Sequence, residues 1–231
     1  MRIDVRSGSV GHVRGDVQVI GAFEGDAHPE RLVPPSVLRD RNLKALINSS
    51  GFRGSAHETV LLPYGKRWVL AVGFGKSKEF SLDGARQFAA TAARIARAKN
   101  HRSVVLPVLR ERDVGSVERV AQSVAEGALL GLYRYDKLRT LPKHEKRQRI
   151  DTIALVVERR GDVAAAKRGA AKAQVLAEAV SLARDLINGP SNFVTPTALA
   201  NQARNIARQW RLRCTVIPFS RLKRLGFGGI V

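Results

Sequence analysis

The chain has 231 residues, enough for one large domain or for one domain and part of a second. A hydrophobic content of 44% and a charged content of 26% exclude a wholly disordered chain, and no apolar run approaches the roughly 20 residues that span a bilayer. The N-terminus lacks the apolar core of a secretory signal. We therefore expect a cytoplasmic protein with no membrane segment. The single cysteine, Cys214, excludes an intrachain disulfide and is expected to be a small buried residue in a strand.

Lysine and arginine outnumber the acidic residues by 40 to 20, which gives a formal net charge of +20 at pH 7. Such an excess can hold phosphate polyanions through counterion release, so DNA is a candidate partner. Alternatively, the basic residues are spread over the surface and only solvate helix faces and loops. The densest basic run extends from 134 to 149, and its candidate anion-binding residues are Lys137, Arg139, Lys143, Lys146, Arg147 and Arg149.

Hydrophobic patterning predicts an early strand and a hairpin in the first third of the chain. Alternation over 16–23 indicates a strand, and an amphipathic pattern after Pro34-Pro35 predicts one or two helical turns before residue 53. The apolar runs 58–63 and 68–73 flank the turn-rich spacer Tyr64-Gly65-Lys66-Arg67, which predicts a β-hairpin.

Helices and strands alternate over the following residues. Ser81 is placed to cap a helix over 82–99, and Ser116 begins a second helix that ends near residue 132. The runs 103–109 and 152–157 are typical of buried strands. This alternation predicts an α/β fold with a mainly parallel sheet and helices on both faces.

A long helix and a fixed turn follow this first domain. The alanine-rich segment 162–187 predicts the helix, which Gly189 and Pro190 can end because glycine tolerates a left-handed cap and proline cannot continue the ladder. Thr195 supplies an N-cap oxygen to a new helix, and Pro196 presets the φ of its first turn.

The residues after the turn predict the first βα portion of a second α/β domain. The helix is expected to end near residue 210 and to be followed by a strand at 214–219 and a short helix at 220–225. The apolar, glycine-rich end of the chain suggests truncation. The expected organisation is a first domain over 1–160, a connecting helix over 161–187 and a truncated second domain over 188–231.

The order of residues over 183–196, Ala-Arg-Asp-Leu-Ile-Asn and then Pro, Asn and Thr-Pro, resembles the segment that enters the catalytic domain of leucyl (cytosol) aminopeptidases. Three further segments are similar to the same family and occur in the same order: the strand and loop 68–76, the helix end 125–137 and the short helix 220–229. The resemblance extends from residue 16 to the end of the chain.

The resemblance implies a three-layer, macro-domain-like N-terminal domain and a catalytic domain with two divalent metal ions, zinc or manganese. In that family the metals activate water to release N-terminal residues from peptides. The family motifs that hold them, Gly-Lys-Gly-x-x-x-Asp-x-Gly-Gly and Asn-Thr-Asp-Ala-Glu-Gly-Arg, are absent here, and no Asp or Glu occurs over 188–231. No catalytic or metal-binding residue is therefore carried over, and we expect no cofactor in this chain.

The resemblance therefore implies a noncatalytic N-terminal portion of a leucyl-aminopeptidase-like protein. A basic nucleic-acid-binding module is the alternative, and binding of a nucleotide or ADP-ribose is a further one. The loop Gly73-Phe74-Gly75-Lys76 lacks the glycine spacing of phosphate-binding fingerprints, which favours a strand-to-helix turn. Family members are hexamers, so a homo-oligomer is a candidate assembly. The residues to which the resemblance gives a structural role are the interdomain turn of Asn188, Pro190, Asn192, Thr195 and Pro196, and Tyr133 and Tyr135 in the packing of the first domain.

Overall fold

The computed structural model describes residues 1–24, 32–33, 40–109, 114–140 and 148–230. Its backbone divides into two compact units, Met1–Ser181 and Leu182–Val231. The first unit contains a β-sheet and the helices that cover it. The second contains the end of the long helix and the segment after it. The domain boundaries expected at 160 and 187 stay predictions.

Seven strands form one sheet within the described residues: β1 (Arg2–Ser7), β2 (Val17–Phe23), β3 (Leu32–Val33), β4 (Thr59–Tyr64), β5 (Arg67–Gly75), β6 (Ser103–Pro107) and β7 (Thr152–Val157). Their spatial order is β1-β7-β6-β2-β5-β4, with β3 paired to the end of β2. Five neighbouring strands, from β1 to β5 in this order, are parallel, whereas β4 and β3 are antiparallel to their partners. The mainly parallel sheet and the β4–β5 hairpin are therefore confirmed.

The described residues form six α-helices: α1 (Arg41–Ser49), α2 (Leu82–Ala98), α3 (Val117–Gly131), α4 (Val163–Asn188), α5 (Pro196–Trp210) and α6 (Phe219–Leu222). Four of them begin at a side-chain cap, in which an oxygen atom accepts a hydrogen bond from the backbone N–H three residues later. These bonds join Asp40 to Leu43, Ser81 to Gly84, Ser116 to Arg119 and Thr195 to Ala198.

Alternate side chains along the strands divide the core between the two faces of the sheet. On one face, Val19 and Leu70 belong to a large apolar cluster that includes buried residues of α2, α3 and α4. On the other face, Ile20 packs with Leu43 and Ile47 of α1. The sheet thus lies between two layers, and the expected α/β fold with helices on both faces is confirmed.

Two sequence-based expectations are wrong, and one strand was not expected. Residues 212–218 form no strand, because no neighbouring strand within the described residues offers them backbone hydrogen bonds. Cys214 is consequently exposed instead of buried. The strand β1 was not anticipated, since Ile3 and Val5 are only half-buried and alternate with charged residues at the edge of the sheet.

Candidate functional site

The turn between α4 and α5 ends one helix and directs the chain into the next. The N–H of Gly189 still donates to α4, at 3.1 Å, and Gly189 does not adopt the expected left-handed conformation. Pro190 ends the ladder because it has no N–H, and its carbonyl oxygen accepts from the N–H groups of Phe193 and Val194, both at 2.9 Å. The local geometry is fixed by backbone chemistry, while the interdomain role stays a prediction. Among the predicted turn residues, Thr195 is half-buried, and Asn188, Pro190, Asn192 and Pro196 are exposed.

The structure describes only part of the basic run over 134–149. Arg149 lies 2.9 Å from the carboxylate of Asp151, which also contacts Arg102 at 2.6 Å. At this end of the run, an acidic residue therefore offsets part of the positive charge. Of the six candidate residues, Lys137, Arg139 and Arg149 are described and exposed, whereas Lys143, Lys146 and Arg147 lie outside the described residues.

In the loop at the end of β5, the N–H groups of both glycines are engaged within the protein. The N–H of Gly73 donates to the carbonyl oxygen of Glu58 at 2.8 Å, and that of Gly75 to the carbonyl oxygen of Gly54 at 3.0 Å. A Cβ on Gly73 would lie 1.9 Å from the carbonyl oxygen of Ser55, so glycine permits this close approach. A phosphate cradle needs N–H groups that point toward the ligand. The geometry therefore favours a strand-to-helix turn.

The switch point of the sheet is also occupied. β6 pairs with β2 only at Val17 and Gln18, and beyond them β3 pairs with β2 at Gly21 and Ala22. In open α/β sheets, nucleotides bind at the carboxyl ends of strands where the connections diverge. The backbone of β3 lies at that position here. Nucleotide or ADP-ribose binding gains no support from this arrangement.

A cavity of about 700 Å³ lies on the face of the sheet covered by α1. Its floor contains Gln18 and Ile20 of β2 and Val69 of β5, and its walls come from residues 9–12 and the first turn of α1. Sequence patterning did not identify this site. The available signal was a polar residue within an apolar run, since Gln18 interrupts the valines and isoleucine of β2.

Polar groups at the cavity are joined by hydrogen bonds between separate elements. The hydroxyl of Tyr64, at the end of β4, donates to the carboxylate of Asp40 at 2.6 Å. The guanidinium of Arg67 donates to the carbonyl oxygen of Gly11. The side-chain amide of Gln18 donates to the same oxygen at 3.3 Å and to that of Val13 at 3.1 Å. These bonds hold the polar side chains at the edge of the cavity, which we call its rim, against the sheet.

The contact between Asp40 and Tyr64 changes the ionisation of both groups. The hydrogen bond from Tyr64, together with backbone N–H donors of Leu43 and Asn42, holds the pKa of Asp40 below its ordinary value. The same bond raises the pKa of Tyr64, since loss of the phenolic proton would place two negative charges together. At neutral pH the pair is a carboxylate and a neutral phenol.

The second unit exposes many basic and apolar side chains. Trp210 is 61% exposed and Phe219 is 69% exposed, although both are large apolar residues. A basic segment over 204–224 contains no acid, and its seven cationic residues are all exposed: Arg204, Arg208, Arg211, Arg213, Arg221, Lys223 and Arg224.

Neither a metal cluster nor a membrane helix is found in the part of the chain that the structure describes. There, no three His, Cys, Asp or Glu side chains are grouped so that they could hold a metal ion. No helix in these residues combines the length and apolar character needed to cross a bilayer.

Comparisons with known proteins agree with the observed fold. A family model, the N-terminal domain of the cytosol aminopeptidase family, matches residues 19–142. The probable cytosol aminopeptidase of Roseiflexus castenholzii is 35% identical, and the match covers 100% of this chain and 46% of the relative. The chain therefore spans about half the length of such relatives.

Two solved structures share this fold. The bottromycin maturation enzyme BotP in complex with Mn is 28% identical, with a TM-score of 0.72 over 94% of this chain and 41% of that one. A mutant of tomato leucine aminopeptidase is 21% identical, with a TM-score of 0.72 over 90% of this chain and 42% of that one, and shows the fold alone. From the family match and the Roseiflexus relative together, the chain belongs to the cytosol aminopeptidase family, whose N-terminal domain it contains.

Proposed function

We propose that the chain forms the noncatalytic N-terminal portion of a metal-dependent cytosol aminopeptidase and has no peptidase activity by itself. The family match and the coverage of 46% of the Roseiflexus relative support this assignment. The activity of the whole enzyme would be release of N-terminal amino acids from peptides. Its two divalent metal ions, zinc or manganese, would bind to residues beyond those of this chain. The complex of BotP with Mn supports a metal of this kind.

The exposed apolar surface of the second unit carries the proposal. Ile187, Trp210, Phe219 and Ile230 are each at least 61% exposed. Burial of one large apolar side chain contributes about 1.5–3 kcal/mol, so this unit leaves much of its available stabilisation unused. Further residues of an aminopeptidase catalytic domain would cover these side chains.

Hydrolysis of a leucine chromogenic amide, with added Mn²⁺ or Zn²⁺, tests the proposal. The samples are the purified chain, the downstream half of the Roseiflexus relative, a chimera that joins the two, and the full-length relative as positive control. We expect metal-dependent turnover by the chimera and none by the chain. Turnover by the chain alone would contradict the proposal. A chimera without metal-dependent turnover would also contradict it, because this chain would then not serve as the N-terminal portion of such an enzyme.

Nucleic acid binding is a second candidate, favoured by the charge distribution of the second unit. Arg204 and Arg208 lie one helical turn apart on α5, Arg211 follows at its C-terminal end, and no acidic residue occurs over 188–231. A cationic face of this kind binds phosphates through counterion release and loses affinity steeply with salt.

Fluorescence anisotropy with a short DNA duplex at low and moderate salt measures this activity. We expect binding at low salt that falls steeply as salt rises, and a further loss in the triple variant R204Q/R208Q/R211Q. The matched variant R94Q/K99Q/R119Q removes the same charge from exposed positions of the first unit. An absence of binding at low salt, or equal losses in the two variants, would exclude a specific basic face.

Homo-oligomer formation and a cytoplasmic location stay predictions. Analytical ultracentrifugation of the chain and of the chimera measures assembly directly. A chain that assembles without the downstream half would place the assembly contacts among its own residues, whereas assembly by the chimera alone would place them beyond it.

A further inference from the structure

The cavity beside α1 has the size and composition of a small-molecule site. Its volume of about 700 Å³ falls within the range of about 300–1,000 Å³ that such sites occupy. Its floor is well buried, since Gln18, Ile20 and Val69 are at most 4% exposed. An apolar floor with a few convergent polar groups is typical of ligand pockets.

Gln18 presents an unsatisfied acceptor at this floor. Its Nε2 donates to the carbonyl oxygens of Gly11 and Val13. Its Oε1 accepts no hydrogen bond from the described residues, although Gln18 is 96% buried and is one of the residues that line the cavity. Buried polar atoms are rarely left without a partner. A ligand N–H placed above the sheet would satisfy this oxygen.

Positive charge is available at the rim. The carboxylate of Asp40 accepts hydrogen bonds from the Tyr64 hydroxyl and the N–H of Leu43. The cations Arg41 and Arg67 line the same cavity and can attract an anion. Arg67 donates to the carbonyl oxygen of a neighbouring turn, and that contact holds its guanidinium at the cavity. A guanidinium can pair with a carboxylate through two parallel hydrogen bonds.

The ligand charge is limited by the acid at the same rim. Two arginines and one aspartate line the cavity, and their charges sum to +1. A monoanion matches this charge, whereas a polyphosphate would place several negative charges near Asp40. The apolar side chains of Ile20, Leu43 and Val69 would contact an apolar group of the ligand.

The geometry points to a binding site for a small monocarboxylate that carries an N–H donor and an apolar side chain, the chemistry of an N-acylated amino acid. Its carboxylate would pair with Arg67, its N–H would donate to Oε1 of Gln18, and its side chain would lie over Ile20 and Val69.

Calorimetry on the intact chain with three probes tests the assignment. N-acetyl-leucine has all three features, N-acetyl-leucinamide lacks the carboxylate, and inorganic phosphate is an anion without the apolar group. We expect saturable binding of N-acetyl-leucine and at least tenfold weaker binding of the other two probes. No binding of N-acetyl-leucine would overturn the proposal. If N-acetyl-leucinamide bound as tightly as N-acetyl-leucine, the carboxylate would have no role and the proposal would be wrong. If phosphate bound as tightly, the cavity would be a general anion site and the proposal would also be wrong.

Variants of adjacent residues locate the site. Arg67→Gln is expected to weaken binding of N-acetyl-leucine at least tenfold, since it removes the cation that faces the cavity. Lys66→Gln removes the same charge from the exposed hairpin turn and is expected to bind as the unmodified chain does. Equal affinities of the two variants would place the ligand elsewhere.

Histidine NMR signals of the unmodified chain give a readout that does not depend on a variant's folding. N-acetyl-leucine is expected to shift the signals of His12, which lines the cavity. It should leave His57 unchanged, because that residue lies beside Gly73, near the opposite end of β5. Shifts of His57 without shifts of His12 would contradict the assignment.

Discussion

Gly127 of α3 packs against the backbone of Arg86 in α2 so closely that a Cβ on the glycine would lie 1.9 Å from the arginine carbonyl oxygen. A separation this short is far below normal contact, so a side chain there would force the two helices apart. The neighbouring surfaces are built from small residues, including Ala89, Ala93 and Ala121, all fully buried. The helix layer above the sheet therefore depends on backbone-to-backbone packing.

Gly127→Ala tests this packing. Overpacking costs about 1–3 kcal/mol and the helix-propensity gain of alanine offsets up to about 1 kcal/mol, so we expect a net loss of about 1–2 kcal/mol in the free energy of unfolding. Urea denaturation measures the change. Gly161→Ala is the matched control, because a Cβ there meets no atom within 4 Å. Equal stability of the two variants would show that α2 and α3 adjust without cost.

Local signals explain which parts of this structure could be predicted. The caps Ser81, Ser116 and Thr195 need only a neighbouring N–H, and the β4–β5 hairpin needs only its own turn, so the sequence specifies them directly. The close approach at Gly127 depends on residues 41 positions away. The cavity requires β2, β4, β5, α1 and residues 9–12 to meet. The residues near Cys214 have the apolar pattern of a strand, but a strand forms only where a neighbouring strand can pair with it.

The ion pair between Glu126 and Arg86 gives a second prediction. The Glu126 side chain is only 8% exposed, and its Oε2 lies 2.9 Å from Nη2 of Arg86. Glu126→Ala leaves the guanidinium without this partner, and we expect a loss of about 1–3 kcal/mol, less than for a fully buried pair because Arg86 is 36% exposed.

Asp83 provides a matched control for this ion pair. It contacts the same guanidinium at 3.0 Å but is 63% exposed. Asp83→Ala should therefore change the free energy of unfolding by less than about 1 kcal/mol. Chemical denaturation of both variants compares them, and a larger effect of Asp83→Ala would mean that burial does not determine the strength of these contacts.

Glu118 links α3 to α4 and predicts a pH dependence. Its carboxylate accepts hydrogen bonds from Lys172 at 2.7 Å and Arg168 at 2.8 Å, and these contacts lower its pKa. Because the pKa is lower in the folded state, the contribution to stability is present above the pKa of the unfolded chain and is lost as pH falls through the folded value. The difference in the free energy of unfolding between the unmodified chain and Glu118→Gln should therefore shrink as the pH is lowered from 6 to 3.

Parallel denaturation curves for the two proteins at each pH measure this difference. Lys167→Gln removes an exposed cation from α4 and serves as the control, because it shows how far a change of charge alone alters the free energy of unfolding. A stability difference for Glu118→Gln that stays constant with pH would show that the carboxylate does not act through its ionised form.

Thr195 is expected to hold the first turn of α5. Its hydroxyl accepts a hydrogen bond from the N–H of Ala198 at 3.2 Å. Thr195→Ala removes that acceptor, and loss of an N-cap typically costs about 1 kcal/mol, so exchange of the Ala198 amide hydrogen should be about fivefold faster. Thr195→Ser keeps the oxygen and should retain most of the protection. Equal exchange in both variants would mean that Pro196 alone fixes the helix start.

Tyr64 controls the ionisation of Asp40 at the cavity. Its hydroxyl is the largest cause of the lowered pKa of Asp40, so Tyr64→Phe should raise that pKa toward the ordinary value, as measured by NMR titration of the carboxyl carbon. The stability that the ionised carboxylate contributes is present above its pKa in the unfolded chain and is lost on acidification, and the variant should lose it at a higher pH than the unmodified chain. Tyr135→Phe removes a hydroxyl from a residue that does not line this cavity, so it should leave the Asp40 titration unchanged. An unchanged titration in Tyr64→Phe would instead assign the lowered pKa to the N–H donors of α1.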